Sequence, residues 1–300
     1  MPTARRAHLA LALPALVMAA CAPPRDPRSA SAPARDAEDH ASCESAPAPA
    51  AAPVSAAAPP TVDLAAEATL PPPAIVLGEA SPAPSAAPSV RLTSPVTGAH
   101  VAPDAAARLD VSGWPTAEGA AHVHLILDNQ PYKPIYDTGA PVPMRELNGG
   151  KDLAPGAHLL VAFASRANHE SVKAASAITA VPFVVGDAPP APPAPGNFLV
   201  FSRPKGTYAG PQANHVLVDF QLVGVALGPG KQAVGIEVSG ASLTEPLRAR
   251  ATSFGPPFYL ENLRSGSYTI ALTLLDAAGK PVPGAWNATT RTIVIDRSKK

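Results

Sequence analysis

From residue 90 onward, apolar and polar positions alternate in short runs that are broken by Gly, Pro, Asp and Asn. A period of two sends successive side chains to opposite faces of an extended chain, so each run predicts a strand. The first stretch predicts strands near 90–93, 107–113, 121–128, 132–136, 143–147, 157–165 and 177–185. The second predicts strands near 198–202, 215–224, 232–239, 244–251, 257–262, 267–275 and 289–296. No run sustains a helical period. A Pro-rich segment, residues 188–196 (APPAPPAPG), separates the two stretches.

Seven short strands in about 100 residues, with a turn signal after each, predict an immunoglobulin-like β-sandwich. The fold class is therefore all-β, with sandwiches over 90–187 and 197–297 joined by a stiff linker at 188–196. The halves also resemble each other at an offset of about 110 residues. Val123, Leu125 and Leu127 match Val234, Ile236 and Val238; Leu153, Gly156 and His158 match Leu263, Gly266 and Tyr268. The run Leu263-x-x-Gly266-x-Tyr268 resembles the tyrosine corner of Ig-like domains, which implies a phenol bonded back to nearby backbone. His158 takes that place in the first half, and His100 matches Tyr208.

Ahead of the strands the pattern fades. Residues 22–89 are more than half Ala or Pro, too poor in large apolar side chains to offset the entropy of ordering. They predict a disordered tether over 21–89, with a reach on the order of 200 Å if extended. Residues 61–70, with some helical character, and the apolar island Ile75-Val76-Leu77 are the two segments able to dock.

The first 20 residues read as an export signal. Arg5, Arg6 and His8 precede an apolar run of about 12 residues at 9–20, well short of the ~20 that cross a bilayer. The run ends Met18-Ala19-Ala20-Cys21, which resembles the bacterial lipobox with Met in place of the usual Leu. That resemblance implies lipidation of Cys21, cleavage before it and a membrane anchor of several acyl chains. With Ala at position 22, it further implies the outer membrane. An ordinary secretory cut after Ala22 is the alternative reading, and Arg5-Arg6 also hints at twin-arginine export.

Charge excludes some partners. Lys and Arg total 23 and Asp and Glu total 23, with no basic stripe, so nothing attracts nucleic acid. Both cysteines, Cys21 and Cys43, precede the strands, so neither sandwich has a disulfide or a thiolate metal site of its own.

One group of residues carries candidate chemistry. On the strand Ala121-His-Val-His-Leu-Ile-Leu-Asp128, the core face takes Val123, Leu125 and Leu127, which leaves His122 and His124 on the other face. Imidazoles at i and i+2, rooted about 7 Å apart, suit joint ligation of copper or zinc. Antiparallel pairing of this strand with 157–165 places the loop after the latter beside them, which makes His169 the favoured third ligand. The blander reading is a solvated His pair on an open sheet face. A conflict stands beside it: Leu159, Val161 and Phe163 look more core-like than Leu160, Ala162 and Ala164, although His158 is assigned to a backbone-bonded corner.

Residues 90–187 also resemble a family of uncharacterised exported bacterial Ig-like modules. The matching motifs are His122-Val-His-Leu-Ile-Leu-Asp128, Leu153-Ala-Pro-Gly156-Ala-His158 and Asn168-His169, with Val123 where the family tends to carry another His. The resemblance implies the fold and no activity. No nucleophile elbow or phosphate loop is present, and Glu118, Asp128, Glu146 and Asp152 form no catalytic pair. The chain thus reads as non-enzymatic: an envelope lipoprotein that binds or organises a protein or glycan partner. A copper or zinc binder using His122, His124 and His169 is the second reading. A carbohydrate-binding module presenting Trp114, Tyr132 and Tyr136 is the third.

Overall fold

The structure is a computed structural model that describes residues 67–190, 192 and 194–298. The export signal, Cys21, Cys43 and the tether as far as residue 66 lie outside the described residues.

The chain is all-β and builds two immunoglobulin-like sandwiches. A first strand, β1 (Ala74–Leu77), precedes both. The first sandwich contains β2 (Ser89–Ser94), β3 (His100–Val101), β4 (Ala106–Ser112), β5 (His122–Leu127), β6 (Lys133–Ile135), β7 (Val142–Pro143), β8 (Gly156–Ser165) and β9 (Ile178–Val185). Its sheets run β2-β4-β7 and β3-β9-β8-β5-β6. The second contains β10 (Phe198–Arg203), β11 (Gly206–Ala209), β12 (His215–Val223), β13 (Ala233–Gly240), β14 (Leu247–Ala251), β15 (Phe258–Glu261), β16 (Gly266–Leu275) and β17 (Ala288–Asp296). Its sheets run β1-β15-β12-β10 and β11-β17-β16-β13-β14.

Each sandwich closes over its own alternating core. Val123, Leu125 and Leu127 of β5 meet Leu160 and Ala162 of β8 and Phe183 of β9; in the second, Val234, Ile236 and Val238 meet Ile270 and Leu272. The corner reading describes both halves: the Tyr268 hydroxyl donates to the carbonyl of Arg264 at 2.9 Å, and His158 Nε2 lies 2.8 Å from that of Ala154. Three elements depart from the sequence pattern. β3 and β11, of two and four residues, pair parallel with β9 and β17 and are too short to show alternation. Most of the strand expected at 143–147 is instead a 3₁₀ turn, Met144–Leu147, whose three-residue spacing buries Met144 and Leu147 together.

The tether reading fails over residues 67–89, which bind along the folded body. β1 adds an edge strand to the second sandwich by antiparallel pairing of Ala74–Leu77 with Phe258–Glu261, and Ile75 packs on that core. Upstream, the Glu67 carboxylate accepts from the Ser265 backbone N–H at 3.0 Å, and Arg264 donates to the carbonyls of Leu70 and Pro71 at 2.7 Å. Downstream, the Ser81 hydroxyl donates to Glu170 at 2.6 Å, on the first sandwich. Composition averaged over the segment predicts disorder, whereas main-chain pairing and a single apolar island suffice to order it.

The linker ends against folded chain rather than holding the sandwiches apart. Gly224, with φ at 66°, closes β12 where a Cβ would stand 1.8 Å from the Gly196 carbonyl oxygen. The outer face of the first five-stranded sheet is then covered by the second sandwich. Ile126, Leu159, Val161 and Phe163 pack against Phe198, Val200 and Trp286. This resolves the conflict along β8: Leu160, Ala162 and Ala164 face the core of the sandwich, Leu159, Val161 and Phe163 face the neighbouring sandwich, and both faces are buried. At ~1.5–3 kcal/mol for each fully buried large apolar side chain, the contact stabilises substantially. It joins the strap, residues 67–89, and both sandwiches into one compact unit.

The strap makes a proteolytic prediction. Paired backbone resists cleavage, so limited digestion of the full chain should leave a protected fragment that retains Glu67–Leu77. N-terminal sequencing of a fragment beginning near residue 90 would show instead that the strap is not held.

Candidate metal centre

The register of β5 against β8 builds the site. His122 pairs with Ser165 and His124 with Phe163, so both imidazoles stand on the outer face near the end of β8. There the chain turns back through residues 166–170, closed by His169 N–H to the Arg166 carbonyl and Arg166 N–H to the Glu170 carbonyl, each at 2.9 Å. His169 sits at the left-handed position of this turn, with φ at 68°, where glycine is the usual occupant. That conformation turns its ring back over the sheet.

Three imidazole nitrogens meet at one point. His122 Nε2 lies 3.0 Å from His124 Nε2 and 2.9 Å from His169 Nδ1, and the third edge measures 3.4 Å. The circle through these atoms has a radius of about 1.8 Å, so an ion at ~2.0–2.1 Å from each would stand about 1 Å off their plane. The nitrogens on the far side of two rings are also held. His122 Nδ1 donates to the Ala120 carbonyl at 2.8 Å, which leaves Nε2 as a bare lone pair aimed at the others. His124 Nδ1 lies 3.1 Å from the hydroxyl of Ser202, a residue of the second sandwich. A carbonyl partner fixes the tautomer of a metal-ligating histidine, and either kind of partner fixes its ring orientation.

The expected open face is a buried one: His122 and His124 are 1% and 0% exposed. Tyr132 stacks on His124 with ring centres 3.6 Å apart, and its hydroxyl lies 3.4 Å from His169 Nδ1. Lys205 Nζ stands 3.8 Å from the Tyr132 ring centre and donates to the Tyr132 carbonyl at 2.6 Å, while the Arg203 guanidinium carbon is 5.5 Å from the same ring. Burial, with Arg203 adding to it, holds all three imidazoles below the usual value, and Lys205 and neighbouring rings lower His124 and His169 further, His169 to about 3. They are neutral near pH 7, the form that binds metal.

The remaining candidates stand apart from this cluster. His158 Nδ1 lies 2.6 Å from the Asp128 carboxylate, and His100 Nδ1 donates to the Gly186 carbonyl at 2.9 Å. Glu146 pairs with Lys133 on the surface, and Glu118 and Asp152 are exposed. Of the three aromatics, Trp114 donates to the carbonyls of His122 and Ser165, Tyr132 is buried against His124, and Tyr136 is half-buried beside His122. Sequence reasoning missed Ser202, Arg203 and Lys205. A signal was present: Phe198-Leu-Val-Phe201 is apolar at consecutive positions, the mark of a strand buried on both faces.

No family model and no curated protein matches the chain. Among solved structures, it is similar to the fibronectin(III)-like modules of Clostridium thermocellum CbhA, at 13% identity and a TM-score of 0.25 over 70% of this chain and 95% of that one. It is also similar to the FN1–FN3 domains of chicken CNTN1, at 10% identity and a TM-score of 0.22 over 70% and 68%. The fold assignment rests on the sheet order given above.

The depressed imidazoles set a pH dependence. In the unfolded chain they take up protons below about pH 6.5, whereas the folded cluster resists protonation until far lower. Metal-free stability should therefore be full above about pH 6.5 and fall with pH toward about 3, the His169 value. Denaturant midpoints at about pH 7.5 and about pH 5 should differ less for a His122→Gln/His124→Gln/His169→Gln variant. An unchanged difference would place the acid sensitivity elsewhere.

Proposed function

We propose that this chain is a non-enzymatic metal-binding lipoprotein of the bacterial envelope, which holds one copper or zinc ion on His122, His124 and His169. The observation that carries the reading is the convergence of three neutral imidazole nitrogens, within 3.4 Å of one another, in a buried site. Where each ring presents a lone pair inward, the three cannot satisfy one another, and a single cation satisfies all three. The rings held by Ala120 and Ser202 support the same reading. Imidazole ligands and a three-coordinate face suit zinc and copper and do not distinguish them. The envelope location rests on the lipobox-like run ending at Cys21.

Titration calorimetry of the full chain with Zn(II) and Cu(II) should give one site per chain, with a metal-dependent rise in melting temperature. His169→Ala should weaken binding at least ~10-fold, and His158→Ala should leave the site intact. No saturable binding, or binding indifferent to His169→Ala, would refute the proposal. Location has its own test. Mass spectrometry of the membrane-extracted chain should find an acylated peptide beginning at Cys21, and Cys21→Ser should move the protein to the soluble fraction; a soluble mature chain beginning at Pro23 would overturn the anchor.

A further inference from the structure

The charge around the three-histidine centre is of one sign. Arg203 and Lys205 reach it from the second sandwich, and neither forms an ion pair with a carboxylate among the described residues. Arg203 spends one donor on the Tyr208 hydroxyl at 2.8 Å, and its Nε is buried without a partner. A divalent ion on three neutral imidazoles would bring two more positive charges into this setting. Such a site needs an anion to balance it, and no acid among the described residues pairs with Arg203 or Lys205.

Space for one lies alongside. A cavity of about 340 Å³ is lined by His169 and Arg203 together with Asn168, Tyr208, Gln212 and His215, and by no Asp or Glu. His169 thus belongs to both the candidate metal centre and the cavity wall. Three protein ligands leave a coordination position for an exogenous group, as in open zinc sites. The planar guanidinium of Arg203 presents the donor geometry that matches a carboxylate. The cavity, near the small end of ligand-binding pockets, exceeds what a lone inorganic ion fills.

We propose that the site takes a small organic carboxylate as co-ligand, with its oxygens shared between the metal ion and Arg203 and its organic part in the cavity beside His169. This rests on the three-histidine reading and adds the ligand class. The anion enters as it is and no bond is made or broken in it; the protein would therefore take up metal and carboxylate together.

The test is zinc titration of the full chain in chloride-free perchlorate buffer, with and without acetate, after allowance for zinc–acetate association. Acetate should tighten zinc binding at least about tenfold, a reciprocal linkage in which zinc tightens acetate equally. Arg203→Met should still bind one zinc, more tightly than wild type in perchlorate because a repulsion is gone, and should lose the acetate effect. Arg203→Gln serves the same purpose should the Met variant fold poorly. Zinc binding indifferent to acetate, or an acetate effect that survives both substitutions, overturns the carboxylate proposal and leaves the metal reading standing. A chain that binds no zinc in either buffer overturns the metal reading, and this proposal with it.

Discussion

The burial of the first sandwich's outer sheet face by strand β10 decides most of what the rest of the molecule can do. Phe198 and Val200 lie over Val161, Phe163 and Ile126, and the next residue on the same face, Ser202, arrives at His124. Without that cover, His122 and His124 would be two hydrated rings on a sheet, free to turn about χ1 and χ2. With it, their polar edges are out of water and each ring has a fixed partner. Desolvation also keeps them neutral, so apolar packing some residues away sets the chemistry of the nitrogens.

The contact is not only apolar. Strand β12 is buried on both faces, and its outward positions, Asp219 and Gln221, enter the first sandwich. Asp219 accepts from Lys173 and from the Ser171 hydroxyl, each at 2.7 Å, and Gln221 donates to the Val172 carbonyl at 2.7 Å. A buried ion pair adds little net stability once desolvation is counted, and breaking one side of it costs several kcal/mol, so its effect is to allow one docking register. That register matters because Ser171 lies two residues beyond His169. The opposite side of the same turn is held by the strap, with Ser81 on Glu170 and the Pro82 carbonyl on Arg166. The His169 turn is thereby clamped by the second sandwich and by the N-terminal segment together.

Much of the fold was legible because alternation is a local signal. β5 and β13 declare their inward faces in six or eight residues, and the Gly and Asn turns around them mark their ends. The neighbourhood of His122, His124 and His169 was legible for a related reason: antiparallel pairing of β5 and β8 follows from topology, and it puts the start of one beside the end of the other. What lay beyond reach was whatever depends on a second surface. Ser202, Arg203 and Lys205 lie about 80 residues beyond β5, and no period in either segment announces that the two meet. The strap was hidden differently. Its composition is that of a disordered chain, and much of its order comes from main-chain bonds to β15, to which Ile75, Glu67 and Ser81 add single side-chain contacts.

Backbone strain gives an independent reason to regard the His169 turn as more than a connection. Among the described residues, four that are not glycine have positive φ: Asp128, Asn129, Asn262 and His169. The first three are Asp or Asn, types whose short polar side chains tolerate that region. Histidine is a larger side chain to hold there, and its ring reaches away from the turn to His122 and His124. The left-handed conformation costs about 1–2 kcal/mol for such a residue, and glycine would relieve it. The conformation persists because the flanking residues are clamped to Asp219 and Ser81, which turns the cost into a fixed direction for the ring. Strain held by contacts on both sides, with a side chain projected into a cluster of like groups, is the arrangement that the proposed site would need for its third ligand. A turn whose only task was to reverse the chain would have no use for it.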